Sequence, residues 1–263
     1  MAQRSDPGFV EGLAERVATL EERLARIQQL VVAAYESTPR AAADLLNARR
    51  RPGYLDAYAR EPLVTVRIGT HAGGEPLFER ALDSVLRQTY TNWEAVVVCD
   101  GRDEPVAERI SALGDRRIRC VQRPRNGPYP RQPRARWLVV GAHPFNEAVA
   151  LARGSWIAPI DDDDEWTSDH LEVLLAAGRE TQAEVVFGVC RAVVGNEAET
   201  YFGRWPPSES DFGFQAAIYH AGLKHFLYDA NSHLVDEPAD WNLARRMLEA
   251  GVRFEFVEQV VTV

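Results

Sequence analysis

From Gly12 to Glu36 the apolar residues Leu13, Val17, Leu20, Leu24, Ile27 and Val31 recur at alternating steps of four and three, with Glu and Arg between them. That spacing is a heptad seam along one side of a helix. So short a seam is buried either by pairing with another chain or by docking on the protein's own globular body, and the pattern leaves both open. Pro39 interrupts the seam, a second short helix is predicted over Ala41–Ala48, and Arg49-Arg50-Arg51-Pro52-Gly53 reads as the loop before the main domain.

After Pro62 the period changes. Leu63–Ile68 alternates as a strand, Gly69–Gly74 makes a turn, and a helix is predicted over Glu75–Gln88 with Leu77, Ala81, Leu82 and Val85 on one face. A strand at Trp93–Cys99 closes on Asp100-Gly101, followed by a helix near Pro105–Leu113 and a strand at Ile118–Gln122. A helix at Phe145–Arg153 leads to a strand at Ser155–Ile160, Ser168 caps a helix to Arg179, and Val185–Val189 is another strand. Asp236–Trp241 opens a last helix that stops at Gly251, and Phe254–Val263 ends the chain as a strand or two. Alternating strands and helices imply crossover units and a largely parallel sheet, which binds ligands at its carboxyl strand ends. Those ends are Thr70-His71, Asp100 and the residues from Asp161.

Two segments do not fit the alternation. Arg123–Pro144, rich in Arg and Pro, reads as a long irregular loop, and a loop of that length inside a compact domain is usually functional or disordered. Its Arg131, Arg134 and Arg136 suit bidentate pairing with phosphate oxygens, and Trp137–Val140 would pack it onto the body. Phe202–Phe214 mixes Gly, Pro, Trp and Phe, and its flat rings suit sugar rings as well as an ordinary core.

The sharpest chemical feature is Ile157–Trp166, where an apolar strand runs into the consecutive carboxylates Asp161, Asp162, Asp163 and Asp164. Adjacent negative charges repel unless they are solvated or neutralised, so the stretch is either a solvated acidic turn or a holder for a hard divalent cation. Composition narrows the setting. The 263 residues, 46% hydrophobic, can bury a large core, and a net charge of -9 argues against general affinity for nucleic acid or anionic membrane surfaces. Cys99, Cys120 and Cys190 read as buried free thiols. No signal-peptide pattern or membrane-length apolar run is present, so a soluble protein is expected, cytoplasmic and at most peripheral to a membrane. The final strand stops without a polar tail, as in a truncated chain.

Together these pieces resemble the inverting glycosyltransferases of family 2. Val64–Ala72 resembles the family's opening strand and turn, Arg80–Tyr90 its next helix, and Cys99-Asp100-Gly101 its Asp-Asp-Gly. Ala152–Ile157 leading into Asp161–Asp164 is similar to the approach to its Asp-X-Asp motif, and Ala239-Asp240-Trp241-Asn242-Leu243 to its Glu-Asp-Tyr-Asp-Leu. The resemblance implies an α/β GT-A fold, with a Rossmann-like, mainly parallel sheet flanked by helices. The resemblance spans about Pro62 to the C-terminus, so the chain would divide into an N-terminal segment over 1–60 with a coiled-coil-like helix, a nucleotide-sugar half over 61–165 and an acceptor half over 166–263.

The resemblance also implies roles. Thr70, His71 and Asp100 would line the base pocket of a nucleoside-diphosphate sugar, UDP or dTDP favoured and GDP also compatible. Asp161 and Asp162 would face the donor, Asp161 at the ribose, Arg136 would add a positive contact, and Asp163 would bind Mn²⁺ or Mg²⁺. His220, His225 and His233 are candidates for a further metal ligand. Asp240 would be the general base toward an acceptor hydroxyl, with Glu237 in reserve; the plainer reading makes Asp240 a favourable acid in a helix's first turn. His71, Ala72, Cys99 and Phe145 depart from the family's usual residues, and the Arg-rich segment looks like an insertion. A sugar nucleotidyltransferase, or a catalytically silent scaffold dimerising through residues 12–36, are the alternatives.

Overall fold

The computed structural model describes residues 7–35, 38–71, 75–124, 129–192 and 199–263. Glu36, the Ala72–Gly74 part of the expected turn, and residues 125–128 of the Arg-Pro segment lie outside the described residues. The chain forms two compact units, Met1–Ser37 and Thr38–Val263.

The first unit is built on one helix, α1 (Pro7–Tyr35). Its seam residues Leu13, Val17, Leu20, Leu24 and Ile27 are between 45% and 63% exposed.

The second unit begins with α2 (Thr38–Arg49), so residues 38–60, grouped from sequence with the seam helix, are part of the body. Leu45 and Ala48 are buried, and Arg49 reaches the two carboxylate oxygens of buried Glu184 at 2.7 and 2.6 Å. The Tyr54 hydroxyl donates to the same carboxylate at 2.6 Å. Burial opposes the Glu184 charge, but these donors outweigh it and hold the carboxyl below its usual range.

The body's sheet contains, among the described residues, β1 (Val64–His71), β2 (Trp93–Asp100), β3 (Ile118–Arg123), β4 (Trp156–Asp161), β5 (Val185–Ala192), β6 (Thr200–Phe202), β7 (Ala217–His220) and β8 (Phe254–Thr262). Its order is β3-β2-β1-β4-β7-β5-β6, with β8 also paired to β5. β1 runs parallel to β2 and β4, β2 to β3, and β5 to β8, while β7 is antiparallel to β4 and β5. The chain steps outward from β1 to β2 and β3, then returns to lay β4 on the other side of β1. That reversal opens a crevice at the carboxyl ends of β1 and β4.

Helices cover both faces, so the central strands are buried throughout rather than alternately. On one face Val64, Val66 and Ile68 pack with Phe78 and Leu82 of α3 (Glu75–Leu86), Ile110 of α4 (Glu104–Leu113) and Leu171 and Leu174 of α7 (His170–Thr181). On the other, Ile157 and Tyr219 pack with Val149 of α6 (Ala142–Leu151) and Leu243 and Met247 of α8 (Ala239–Glu249).

Most expected elements are present, with ends shifted by a few residues. The main correction is in Arg123–Pro144, which is not one irregular loop: it contains α5 (Pro133–Val139), and α6 begins at Ala142. Pro133 sits in the first turn of α5, where its missing N–H costs nothing. Gly141, at φ +89°, makes the break between the two helices. Ser168 does not cap α7; Asp169 precedes that helix and makes no side-chain cap bond. Phe254–Thr262 is a single strand.

Candidate active site

A cleft of about 670 Å³ opens at the carboxyl ends of β1, β2 and β4. Thr70, His71, Asp100, Arg136, Asp161, Asp162, Asp163 and Asp240 all line it. Residues up to 170 positions apart in the chain are thus brought to one crevice by the strand order and by the first turn of α8.

The floor is organised by a residue that the strand pattern does not single out. Arg67 is in the middle of β1 and only 2% exposed, on the face opposite Val66 and Ile68. Its Nη1 donates to Asp161 Oδ1 at 2.6 Å and its Nη2 to the Tyr228 hydroxyl at 3.1 Å. The guanidinium carbon lies 3.7 Å from the centre of the Phe145 ring. Burial disfavours the cation, but Tyr228 and Asp161 outweigh that cost, so its pKa is raised and it stays charged.

Phe145 is itself held by close backbone. A Cβ on Gly69 would come within 2.3 Å of the ring, and one on Gly141 within 2.5 Å. The two glycines leave room for the ring, and the ring supports the arginine. Asn146, next in α6, exchanges two hydrogen bonds with the backbone of Tyr228 at 2.8 and 2.9 Å, fixing the segment that carries the phenol.

The acid turn after β4 is anchored at both ends. Asp164 N–H donates to Asp161 O at 3.3 Å, Glu165 and Val263 exchange backbone bonds at 3.1 and 2.7 Å, and Arg80 donates to the Asp163 carbonyl. Trp166 Nε1 donates to Gln215 O at 2.8 Å, and its ring stacks on buried His170 at 4.0 Å. Within the turn the four carboxylates differ. Asp163 is exposed. Burial raises the Asp162 carboxyl, against the opposing influence of Thr70 and His71. Asp164 does not line the cleft; burial, and then the charges of Asp161 and Asp163, push its carboxyl up to about 8.

Across the cleft, Asp240 is in the first turn of α8, where its Oδ1 accepts the Trp241 N–H at 2.7 Å. Burial, and more weakly the Asp161 charge, raise its carboxyl above the usual range. Glu237 plays a different part: its two oxygens accept from Arg245 Nε and Asn242 Nδ2, each at 2.8 Å, and it does not line the cleft. These bonds tie the entry of α8 to the helix body.

Asp100 is buried at the end of β2 and accepts the Tyr129 hydroxyl at 2.8 Å. α5 supplies a wall through Arg136, Trp137, Leu138 and the following Val140. Of the expected packing residues, Leu138 and Val139 are buried, whereas Trp137 and Val140 are 68% and 49% exposed. Arg134 pairs with Asp236 at 3.1 Å on the surface, and neither Arg131 nor Arg134 lines the cleft. His220, His225 and His233 also lie off the cleft lining; the His220 ring stacks on Tyr54 at 3.9 Å and both its nitrogens are in hydrogen bonds to backbone.

No group of three or more His, Cys, Asp or Glu able to hold a metal occurs among the described residues, so there is no ready-made cage. The acids present fit another arrangement. Asp163 is exposed, and Asp161 is engaged by Arg67 through one oxygen. A hard cation held by one or two carboxylates and completed by substrate phosphates needs no more from the protein.

The sequence matches Glycosyl transferase family 2 over residues 65–130 and 141–238. The chain belongs to that family. The residues between the two matched blocks, 131–140, contain α5, and the match stops two residues before Asp240. A protein of Escherichia coli K12 named as a colanic acid biosynthesis glycosyl transferase, WcaA, is 37% identical over 118 residues, 44% of this chain and 37% of that protein. The Escherichia coli glucosyltransferase WfgD is 27% identical over 114 residues, 43% of this chain and 40% of its own. The chain therefore spans about two fifths of these curated relatives. In fold it is similar to Staphylococcus aureus TarS in complex with UDP-GlcNAc, at a TM-score of 0.59 and 15% identity over 75% of this chain and 57% of that one. It is also similar to the Pyrobaculum calidifontis mannosyltransferase PcManGT in complex with GDP-Man and Mn²⁺, at 0.57 and 20% over 90% and 68%. These likenesses show the GT-A fold.

Proposed function

We propose that this family 2 member transfers a sugar from a nucleoside-diphosphate donor to an acceptor hydroxyl, with inversion at the anomeric carbon. The observation that carries the reading is one cleft joining the strand-end residues of β1, β2 and β4 to the largely buried carboxyl of Asp240. The donor-complexed structures of similar fold, one with UDP-GlcNAc and one with GDP-Man and Mn²⁺, support a nucleotide-sugar ligand.

In this reading Thr70, His71 and Asp100 contact the base, with Tyr129 holding the Asp100 carboxylate to receive an imide N–H. Asp161, oriented by Arg67, faces the ribose beside Asp162. Asp163, with Asp161, holds Mn²⁺ or Mg²⁺, which when bound supplies positive charge to the leaving diphosphate. Arg136 adds charge from α5. Asp240 takes the acceptor's proton as its oxygen bonds the anomeric carbon and the carbon–oxygen bond to the diphosphate breaks on the opposite face. A burial-raised carboxyl is a stronger base than an ordinary aspartate, which suits that step.

The test is incubation with UDP-, dTDP- and GDP-sugars with and without Mn²⁺, reading nucleoside diphosphate release to water. Slow, Mn²⁺-dependent release that Asp163→Ala abolishes is expected. Pyrophosphate formed from a nucleoside triphosphate and a sugar phosphate would instead identify a nucleotidyltransferase. Absence of binding to any nucleotide would leave a silent scaffold.

A further inference from the structure

The seam on α1 has no part in the cleft chemistry, and the residues beside it carry information that the seam alone does not. Counting from the steps of three and four, Val10, Val17, Leu24 and Val31 occupy the a positions of the heptad, and Leu13, Leu20, Ile27 and Ala34 the d positions. The flanking g positions hold Arg16, Arg23 and Leu30, and the e positions Ala14, Glu21 and Gln28. In a parallel pair each g residue meets the e residue five positions on in the other chain. That places Arg16 against Glu21 of the second copy, twice by symmetry, and Arg23 against Gln28. An antiparallel pair in matching register instead sets Glu21 against Glu21 and Arg23 against Arg23.

The core positions point the same way. β-Branched residues at a with Leu at d favour two strands, and Val fills most a positions; only the Leu24 and Ile27 layer has the reverse preference. Leu20 and Leu24, at the middle of the seam, are 63% and 57% exposed, and Arg16 and Glu21 beside them are exposed as well. A helix of 29 residues holds about four heptads, enough for a paired coil.

We infer that α1 joins two copies of this chain as a parallel, two-stranded coiled coil, with Arg16 of each copy paired to Glu21 of the other. The partner is a second copy because the e and g charges of this one sequence complement each other in that orientation and oppose each other in the antiparallel one.

Light scattering after gel filtration and sedimentation equilibrium on the full chain test this. Wild type should have twice the monomer mass at micromolar concentration, and Leu20→Asp with Leu24→Asp should be monomeric with unchanged near-ultraviolet circular dichroism from the body. Arg16→Glu should weaken the dimer roughly tenfold, since two attractive pairs become repulsive, and adding Glu21→Arg should restore it. A monomeric or trimeric wild type, or a dimer indifferent to the leucine changes, would overturn the proposal. So would an Arg16→Glu dimer as tight as wild type, which is the antiparallel result.

Discussion

The contact between Phe145 and two glycines gives the most closely determined prediction. Replacing Gly69 with Ala puts a methyl carbon 2.3 Å from the Phe145 ring, which cannot retreat freely because Gly141 and the Arg67 guanidinium bound it elsewhere. Overpacking of this kind costs about 1–3 kcal/mol. Against it stands a gain of about 0.5–1 kcal/mol, because Ala loses less backbone entropy than Gly in a strand. Gly69→Ala should therefore destabilise the body by roughly 1–2 kcal/mol. In a Phe145→Ala background the clash disappears and only the entropic gain remains, so the same substitution should become neutral or slightly stabilising. The coupling between the two sites is then about 1–3 kcal/mol. Urea unfolding of the four proteins, followed by the fluorescence of buried Trp93, Trp156 and Trp166, reads the body and not α1, which has no tryptophan. Additive effects within ~0.5 kcal/mol would refute the argument. Because the ring carries Arg67, and Arg67 holds Asp161, Gly69→Ala should also raise the donor KM.

Other substitutions probe the acids separately. Asp240→Asn should reduce kcat by about 10²–10⁴ while leaving donor binding intact, and a turnover near wild type would exclude it as the base. Since burial raises the Asp240 carboxyl, wild-type kcat/KM should fall on the acid side at a pH above that of an ordinary aspartate, as the base is protonated. Asp163→Ala should abolish metal-dependent donor binding in calorimetry with the fold retained, whereas Asp164→Ala should affect it far less; equal and negligible effects would make the turn merely solvated. Asp164 has a second signature in stability. Its folded pKa of about 8 exceeds the unfolded value, so its neutral form contributes stability that is fully present below about pH 4 and is lost as pH rises through 8. Asp164→Asn should flatten that decline in the urea midpoint, and an unchanged pH profile would contradict the burial.

The strands and helices of the body were legible because their periods are clean, and the order of motifs along the chain carried the fold. The cleft was legible at its strand ends, where Thr70, Asp100 and Asp161 follow apolar runs. Arg67 was not, since a charged residue inside a strand normally marks an exposed face, and its burial depends on Asp161, Tyr228 and Phe145, distant in sequence. The one available signal was an arginine interrupting a β-branched run otherwise fit for burial on both faces. α5 is masked by its Pro and Arg content, which suggests a loop, although Pro at a first helical position is an ordinary start. The motif resemblance already ranks Asp240 above Glu237 as the base, and the structure adds that Glu237, held by Arg245 and Asn242, lies off the cleft lining.

The charge arrangement of the cleft has one further consequence. Its lining includes Asp100, Asp161, Asp162, Asp163, Glu209 and Asp240, against the permanent cations Arg67 and Arg136. Arg67 is already committed to Asp161 and Tyr228. A nucleoside diphosphate sugar adds further negative charge, which this lining repels unless a cation enters with it. A cation alone gains only one or two carboxylates, too few for tight binding of a hard divalent ion, and completes its shell with the donor's phosphate oxygens. Donor and cation should therefore bind as a coupled pair. By linkage, Mn²⁺ must tighten the donor by the same factor as the donor tightens Mn²⁺, with an expected coupling of about 1–3 kcal/mol, or roughly 5–150-fold. Titration calorimetry with UDP-sugar in the presence and absence of Mn²⁺, and with Mn²⁺ in the presence and absence of UDP-sugar, measures both factors without turnover. Donor affinity that is the same with and without the cation would show that Arg136 and the α5 wall neutralise the diphosphate unaided, and that the acids at the end of β4 serve another purpose.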